Sequence, residues 1–364
     1  YTATIASTDG GSPTTVKVNV ASNGNTTLKE GANLRMAANI DWAPAATDVF
    51  KCKASTATAA IERIESWNVW SSTIETLFRG ISLSSILLSM SLGLAIVFGL
   101  MGVINMAHGA FIMAGSYTAY TVQEHIVSNA DVSLLVSLVI GFIVAGLMGV
   151  LLEVTLIQRM YDRPLDTLLV TFGVGLVLQQ LARDIFGAPA VYVDAPGWLD
   201  GSFDILGAVV PKTRIFIMVL AVVCVCAVAA AMRYTAAGRR IRAVVQHRDL
   251  AETSGISSRT TDITTFFVGS GLAGVAGVAL TLIGSTSANT GMSYLVDAFL
   301  VVVLGGLGQI RGAVIAAFAL GLLNSFIEYS TTASVAKVVV FVIIVIALQI
   351  KPQGLFTVRT RSLV

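Results

Sequence analysis

Long apolar blocks dominate this sequence from residue 76 to residue 350. A helix needs about 20 apolar residues to cross the roughly 30 Å hydrocarbon core of a bilayer, and most of the blocks reach that length. The blocks cover residues 76–100, 102–123, 132–157, 167–187, 213–232, 263–285, 294–330 and 333–350. All seven prolines lie outside them, as expected of helices. The pattern predicts an all-α polytopic membrane protein with eight to nine transmembrane helices.

Two glycine-rich stretches predict that some of these helices are discontinuous. The block 294–330 is too long for one span, so it is expected to be two spans or a broken helix followed by a span. Irregular backbone at membrane depth is tolerated where it lines a cavity, and interrupted segments in both halves of a membrane chain indicate a transport path. The glycines expected at the helix breaks are Gly99, Gly102, Gly109, Gly305, Gly306, Gly308 and Gly312.

The composition changes near residue 73. Residues 1–73 are rich in Thr, Ala, Ser and Asn and are interpreted as a small extracytoplasmic segment, with a flexible tail as the alternative. Residues 74–356 are expected to form the transmembrane domain, and residues 357–364 a cytoplasmic tail. One set of alternate loops carries eleven Lys and Arg residues and the other set two. The positive-inside rule therefore predicts an extracytoplasmic N-terminus, which implies an upstream signal peptide, and a cytoplasmic C-terminus.

The charge content excludes several classes of protein. Only 12% of the residues are charged, about half of the ~25% usual in soluble domains, which excludes an ordinary soluble enzyme and a disordered protein. The net charge of +2 provides no strong field for nucleic acid. The sequence contains no P-loop motif and no His or Cys spacing typical of a metal site. We therefore expect no bound cofactor or metal and no catalytic residues.

Polar residues inside the apolar blocks are candidates for a solute path, because such residues usually face a cavity or the bundle interior. Asn105 and His108 could equally do no more than stabilise a bend in the chain. Glu328 and Lys337 could pair near the outer end of the last two spans, and the spans show no series of ionisable residues typical of a proton relay. A neutral or zwitterionic solute fits such a lining best. The candidates are Asn105, His108, Thr171, Gln179, Gln180, Asn289 and Asn324.

The most charged loop, residues 234–256, has a helical pattern of apolar residues. A short amphipathic helix here could lie on the membrane surface or dock into a groove of a partner, and Gly255 would end it. The alternative is a solvated loop, and we favour docking. The candidate contact residues are Gly238, Arg239, Arg240, Arg242, Gln246, His247, Leu250 and Gly255.

Three stretches, 99–109, 238–256 and 299–313, resemble in content and order the branched-chain amino acid family of ABC permeases. The resemblance covers about residues 76–356. Residues 165–187, 196–199 and 351–356 are most similar to the urea-transporter branch.

This resemblance implies a non-enzymatic permease subunit of a bacterial ABC importer in the cytoplasmic membrane, moving urea by alternating access. It would be embedded in lipid and pair with a second permease subunit. Two cytoplasmic ATPase subunits would bind ATP and Mg²⁺, and an extracytoplasmic binding protein would deliver the solute. Two alternatives remain, a branched-chain amino acid permease and a stand-alone channel or facilitator, with a membrane enzyme a distant third.

Overall fold

The computed structural model describes residues 2–5, 14–17, 47–102, 104–127, 129–161, 163–205, 208–306, 308–351 and 354. The chain divides into two compact units, Tyr1–Ile74 and Glu75–Val364. In the first unit, strands β1 (Thr2–Ile5) and β2 (Thr14–Lys17) pair antiparallel. In the second unit, β3 (Ser202–Ile205) and β4 (Ala208–Pro211) form another antiparallel pair. The tail at 357–364 lies outside the described residues.

Helices make up almost all of the remaining described chain. They are α1 (Thr47–Met101), α2 (His108–Thr121), α3 (Ala130–Thr155), α4 (Pro164–Phe186), α5 (Lys212–Tyr234), α6 (Ala236–Gln246), α7 (Arg248–Thr253), α8 (Ser258–Thr281), α9 (Thr290–Gly305), α10 (Ile310–Ser330) and α11 (Ala333–Ile350). A π-helical turn at Val122–Ile126 extends α2.

Seven helices in the described part of the chain are long and apolar enough to cross a membrane, which confirms the predicted polytopic all-α class. Two further blocks form shorter helices. The block 102–123 becomes helical only at His108, and α2 has 14 residues, about 21 Å at 1.5 Å per residue. The block 294–330 divides into α9, of 16 residues, and α10.

Small residues allow close packing around α8. A Cβ added to Gly274 would lie 2.6 Å from the Ala145 Cβ and 3.0 Å from the Gly141 carbonyl carbon. A Cβ added to Gly269 would lie 2.9 Å from the Gly93 carbonyl oxygen. Such small-residue faces let helix backbones approach each other inside a membrane. The glycines of α8 therefore serve helix packing.

The directions of the helices define two ends of the bundle. Near the end of α1, Gly99 contacts Gly308, and a Cβ on Gly308 would lie 2.8 Å from the Gly99 carbonyl oxygen. Toward the other end, the Ser325 hydroxyl donates to the Thr76 carbonyl at 2.9 Å. Helices α1 and α10 are therefore antiparallel. We call the two ends the Gly99 end and the Ser330 end.

Candidate functional site

Two short helices meet at their N-termini inside the bundle. Gly109, the second residue of α2, lies against Gly291, the second residue of α9. A Cβ on Gly109 would be 3.0 Å from the Gly291 carbonyl oxygen and 3.3 Å from the Met292 nitrogen. Each helix follows a non-helical stretch. Before α2 the described non-helical residues are 102 and 104–107, and before α9 they include 284–289. We call this meeting point the half-helix junction.

Asn105 and His108 are fully buried at the start of α2. The Asn105 Oδ1 accepts from the Ala107 nitrogen at 3.0 Å and closes a turn. The His108 Nε2 lies 3.0 Å from the Met90 carbonyl oxygen, which can only accept, so Nε2 donates. The Asn105 Nδ2 and the His108 Nδ1 are buried without a hydrogen-bond partner. These contacts fix the bend, and two polar atoms are left in the bundle interior.

Thr171 joins α4 to the same bend. Its hydroxyl oxygen accepts from the Met106 nitrogen at 3.1 Å and donates to the Leu168 carbonyl at 3.0 Å. Thr171 is completely buried. Three of the residues predicted to line a path therefore lie together around the start of α2. Asn105 and Thr171 accept from backbone nitrogens of the break, and His108 donates to a carbonyl of α1.

The other end of α4 carries polar side chains beside the start of α9. Gln179 donates through Nε2 to the Asn289 Oδ1, and Arg183 donates to the same oxygen at 2.7 Å. Gln180 donates to the Asp184 Oδ1 at 2.9 Å. Asn289 directly precedes α9. These partly exposed groups border the half-helix junction on its α4 side.

Asn324 lies apart from the junction, beside two adjoining cavities of about 180 and 300 Å³ between α1, α9, α10 and α11. Its Oδ1 is buried without a hydrogen-bond partner. The Lys337 Nζ lies 3.9 Å from the Asp297 Oδ2 and 5.9 Å from the ring centroid of Tyr294. Lys337 therefore pairs with Asp297, whereas the sequence suggested Glu328 as its partner. We call this the α9–α11 cavity.

Sequence reasoning missed Asp297 at this cavity. It is a lone carboxylate inside an apolar block, and Lys337 is a lone ammonium in the next block. Such residues within membrane segments are functional candidates by default. Asp297 and Lys337 are far apart in the sequence, so the sequence alone did not indicate that their side chains approach each other.

The helices α6 and α7 form an exposed basic surface in the most charged loop. Thr235 caps α6 by accepting from the Gly238 nitrogen at 3.0 Å, and Ile241 and Val244 are buried beneath the helix. The residues exposed on this surface are Arg239, Arg240, Arg242, Gln246, His247 and Leu250. The predicted single helix is interrupted, because His247 is extended, with φ −154°.

Gly255 follows α7 with φ +83°. Its nitrogen donates to the Glu252 carbonyl at 2.9 Å, and the Ile256 nitrogen donates to the Ala251 carbonyl at 3.0 Å. This pair of bonds is the Schellman arrangement that ends helices at a glycine. Gly255 therefore has the position at the helix end that the sequence predicts.

A partly buried polar network anchors α7 to the bundle, and the sequence analysis did not identify it. The Arg248 Nη2 lies 2.5 Å from the Asp262 Oδ2, and its guanidinium lies 4.8 Å from the Tyr161 ring centroid. The Tyr161 hydroxyl donates to Glu153, which is 2% exposed. Burial and the hydrogen bond to Glu153 raise the pKa of Tyr161. Burial opposes the charge on Arg248, but Asp262 outweighs it and raises the Arg248 pKa.

The basic surface lies at the Gly99 end of the bundle. Thr171, in the first half of α4, contacts Met106 shortly after α1 ends, so the start of α4 lies at that end. Tyr161 lies three residues before the first residue of α4 and contacts Arg248 of α7. Two of the basic loops that the sequence assigns to one side of the membrane, around residues 159–163 and 234–256, thus lie at the same end.

This arrangement of long apolar helices, two half-helices and a basic surface at one end defines a polytopic membrane protein of the permease class. The chain belongs to the family described as the permease component of branched-chain amino acid transport systems, whose model matches residues 76–348. It is therefore an ABC-type permease.

Curated relatives agree with this assignment. The chain is 27% identical to the high-affinity branched-chain amino acid transport system permease protein LivH of Salmonella typhimurium over 300 residues, 78% of this chain and 94% of the relative. It is 26% identical to BraD, the permease protein of the corresponding system of Pseudomonas aeruginosa, over 298 residues, 78% of this chain and 95% of the relative. It is 28% identical to a probable branched-chain amino acid transport permease protein LivH of Methanocaldococcus jannaschii over 297 residues, which are 77% of this chain and 91% of the relative. No solved structure matches the chain.

Proposed function

We propose that this chain is the membrane-spanning permease subunit of an ATP-driven importer in a bacterial inner membrane. It works with a second permease subunit, two cytoplasmic ATPase subunits and an extracytoplasmic solute-binding protein. The relatives are permease proteins of transport systems, which supports the general division of labour. Solute crosses by alternating access as the two half-helices change position.

The observation that carries this proposal is the basic surface of α6 and α7. Three arginines of α6 are exposed there, together with Gln246, His247 and Leu250. Arg248 anchors α7 to buried Asp262. A solvated loop needs no such anchor. A surface that is both exposed and firmly connected to the bundle is suited to receive force from a docked ATPase subunit and pass it to α3 and α8.

The first candidate for the solute is a branched-chain amino acid, because the relatives are named for transport of these compounds. Their identity of 26–28% leaves the solute itself a proposal. The second candidate is urea, which rests on the resemblance of residues 165–187, 196–199 and 351–356 to the urea-transporter branch. The family comparisons favour the amino acid over urea.

Uptake measured in cells with and without this gene tests the proposal. Radiolabelled leucine and radiolabelled urea are supplied separately at low external concentration, and each is challenged with an excess of the other compound unlabelled. The first candidate is supported if leucine uptake requires the gene and excess urea does not inhibit that uptake. If only urea uptake requires the gene, and excess leucine does not inhibit it, the result overturns the first candidate in favour of the second.

A further inference from the structure

The α9–α11 cavity contains both signs of charge within the apolar part of the bundle. Asp297 lies eight residues before the last residue of α9, and Lys337 lies four residues after the first residue of α11. At 1.5 Å per residue these positions are about 12 Å and 6 Å inside the helix ends. Charges at such depth are costly and occur where they face a cavity or a solute path. The pair therefore requires a functional explanation.

The two charges are loosely paired. Their closest atoms are 3.9 Å apart, and the Lys337 side chain is 54% exposed while that of Asp297 is 29% exposed. Charge-assisted hydrogen bonds have lengths of roughly 2.7–2.9 Å, so neither group makes one to the other. Both can take a charged ligand group without first breaking a tight bond.

The remaining wall supplies a free acceptor and apolar surface. The Asn324 Oδ1 is buried without a hydrogen-bond partner, and leucine, isoleucine and valine side chains from α1, α10 and α11 complete the lining, among them Leu87, Leu320 and Ile344. The volumes of about 180 and 300 Å³ far exceed the roughly 30 Å³ that one water molecule takes in the liquid. A small organic solute fits this space.

We infer that the α9–α11 cavity is a binding subsite for a zwitterionic amino acid with an aliphatic side chain. Asp297 and the Asn324 oxygen receive the α-ammonium group, and Lys337 receives the α-carboxylate. The aliphatic side chain lies against the leucine, isoleucine and valine wall. Glu328 also lines the cavity, so the side chains around it carry one more formal negative charge than positive charge. This inference rests on the proposed function, since it assigns the solute to one chemical class.

A cysteine-protection experiment tests the subsite without disturbing the charge pair. The full chain carries Ser293→Cys, at a position that lines the cavity and has no assigned contact with the solute, and its native cysteines at 52, 224 and 226 are replaced by serine. In membranes containing the assembled transporter, a charged thiol reagent labels this cysteine, and the labelling rate is measured with excess leucine, leucinamide or isocaproic acid. We expect leucine to slow labelling about tenfold. Leucinamide lacks the carboxylate and isocaproic acid lacks the ammonium, so neither compound protects.

Uptake of radiolabelled leucine by single variants supplies the second measurement. Lys337→Gln and Asp297→Asn are expected to lower uptake about tenfold or more. Lys351→Gln and Asp166→Asn make the same chemical changes at exposed positions and are expected to stay within about twofold of wild type. Equal labelling rates with all three compounds overturn the subsite, as does normal uptake by both cavity variants. A wild-type chain that imports urea and no leucine instead refutes the proposed solute.

Discussion

Gly109 and Gly291 touch backbone to backbone where the N-termini of α2 and α9 meet: a Cβ added to Gly291 would collide with the Gly109 carbonyl, and one added to Gly109 would crowd the Gly291 carbonyl. The contact holds two half-helices side by side in the interior of a bundle of long helices. Several of their first N–H groups donate to the turns that precede the helices, as Ala110 does to the Ala107 carbonyl at 2.9 Å and Thr290 to the Ser287 carbonyl at 3.0 Å. The junction thus joins two helix starts and their irregular backbone, which a membrane bundle tolerates where it is buried in protein or lines a cavity.

Gly291→Ala is expected to destabilise the bundle. The added methyl group collides with the backbone of α2, which has no rotamer to relieve the clash, and overpacking of this kind costs about 1–3 kcal/mol. Gly173→Ala is the matched control, because Gly173 is exposed on α4 with no atom within 4 Å of an added Cβ. Thermal unfolding in detergent should show a lower Tm for Gly291→Ala only. Equal Tm values for the two variants would contradict the close contact between Gly291 and Gly109.

Thr171→Val is expected to slow uptake by loosening the bend before α2. The variant keeps the size of the side chain but removes the oxygen that accepts from the Met106 nitrogen, and a buried donor without a partner costs about 1–3 kcal/mol. Thr171→Ser retains the oxygen and should largely restore transport. Initial uptake rates, corrected for the amount of chain in the membrane, separate the two variants. Serine behaving as poorly as valine would exclude a role for this hydrogen bond.

Arg248→Ala is expected to reduce uptake by the assembled complex while ATP hydrolysis persists. The change leaves Asp262, whose side chain is 5% exposed, without its cation, and it frees α7 from Tyr161. Breaking a charged contact of this kind costs about 1–3 kcal/mol. Arg163→Ala, which removes an exposed arginine from an exposed ion pair, is the control. ATP hydrolysis and uptake by the assembled complex are measured together. Hydrolysis should persist while uptake falls, and a parallel fall in both would contradict coupling through α7.

Neutralising the exposed arginines of α6 should prevent ATPase subunits from docking while the bundle stays folded. The triple variant Arg239→Gln, Arg240→Gln and Arg242→Gln leaves buried Ile241 and Val244 in place, so the Tm is expected to stay near the wild-type value. Copurification of the ATPase subunits and uptake are expected to fall. If both persist in this variant, and also when a neutral linker replaces residues 240–250, α6 and α7 are not the docking surface.

The sequence predicted the class of fold because hydrophobic length in a membrane is set by bilayer thickness. It also located the breaks near Gly102 and Gly305, because glycine clusters mark irregular backbone. The gap between the blocks 263–285 and 294–330 also indicated the non-helical chain before α9, but it could not show that this stretch leads to the start of α2. The partnership of Gly109 with Gly291 depends on tertiary packing between residues far apart in the chain.

The candidate site was predicted less completely than the fold. Asn105, His108 and Thr171 were identified as polar residues in apolar blocks, and the structure brings them together at one bend. Whether they or Gln179 contact solute stays a prediction. The pairing of Lys337 with Glu328 was wrong, because Asp297 on α9 approaches Lys337 closely enough to pair with it. Periodicity alone does not reveal which helix is a neighbour.

Accumulation of solute against its gradient is the most direct test of an energised permease subunit. Cells or vesicles containing the complete transporter are given radiolabelled leucine, and internal and external concentrations are compared with ATP present and after ATP depletion. The account predicts an internal concentration well above the external one, lost on depletion and lost in the triple arginine variant of α6. Equal concentrations on both sides, reached with or without ATP, would contradict it and identify a facilitator.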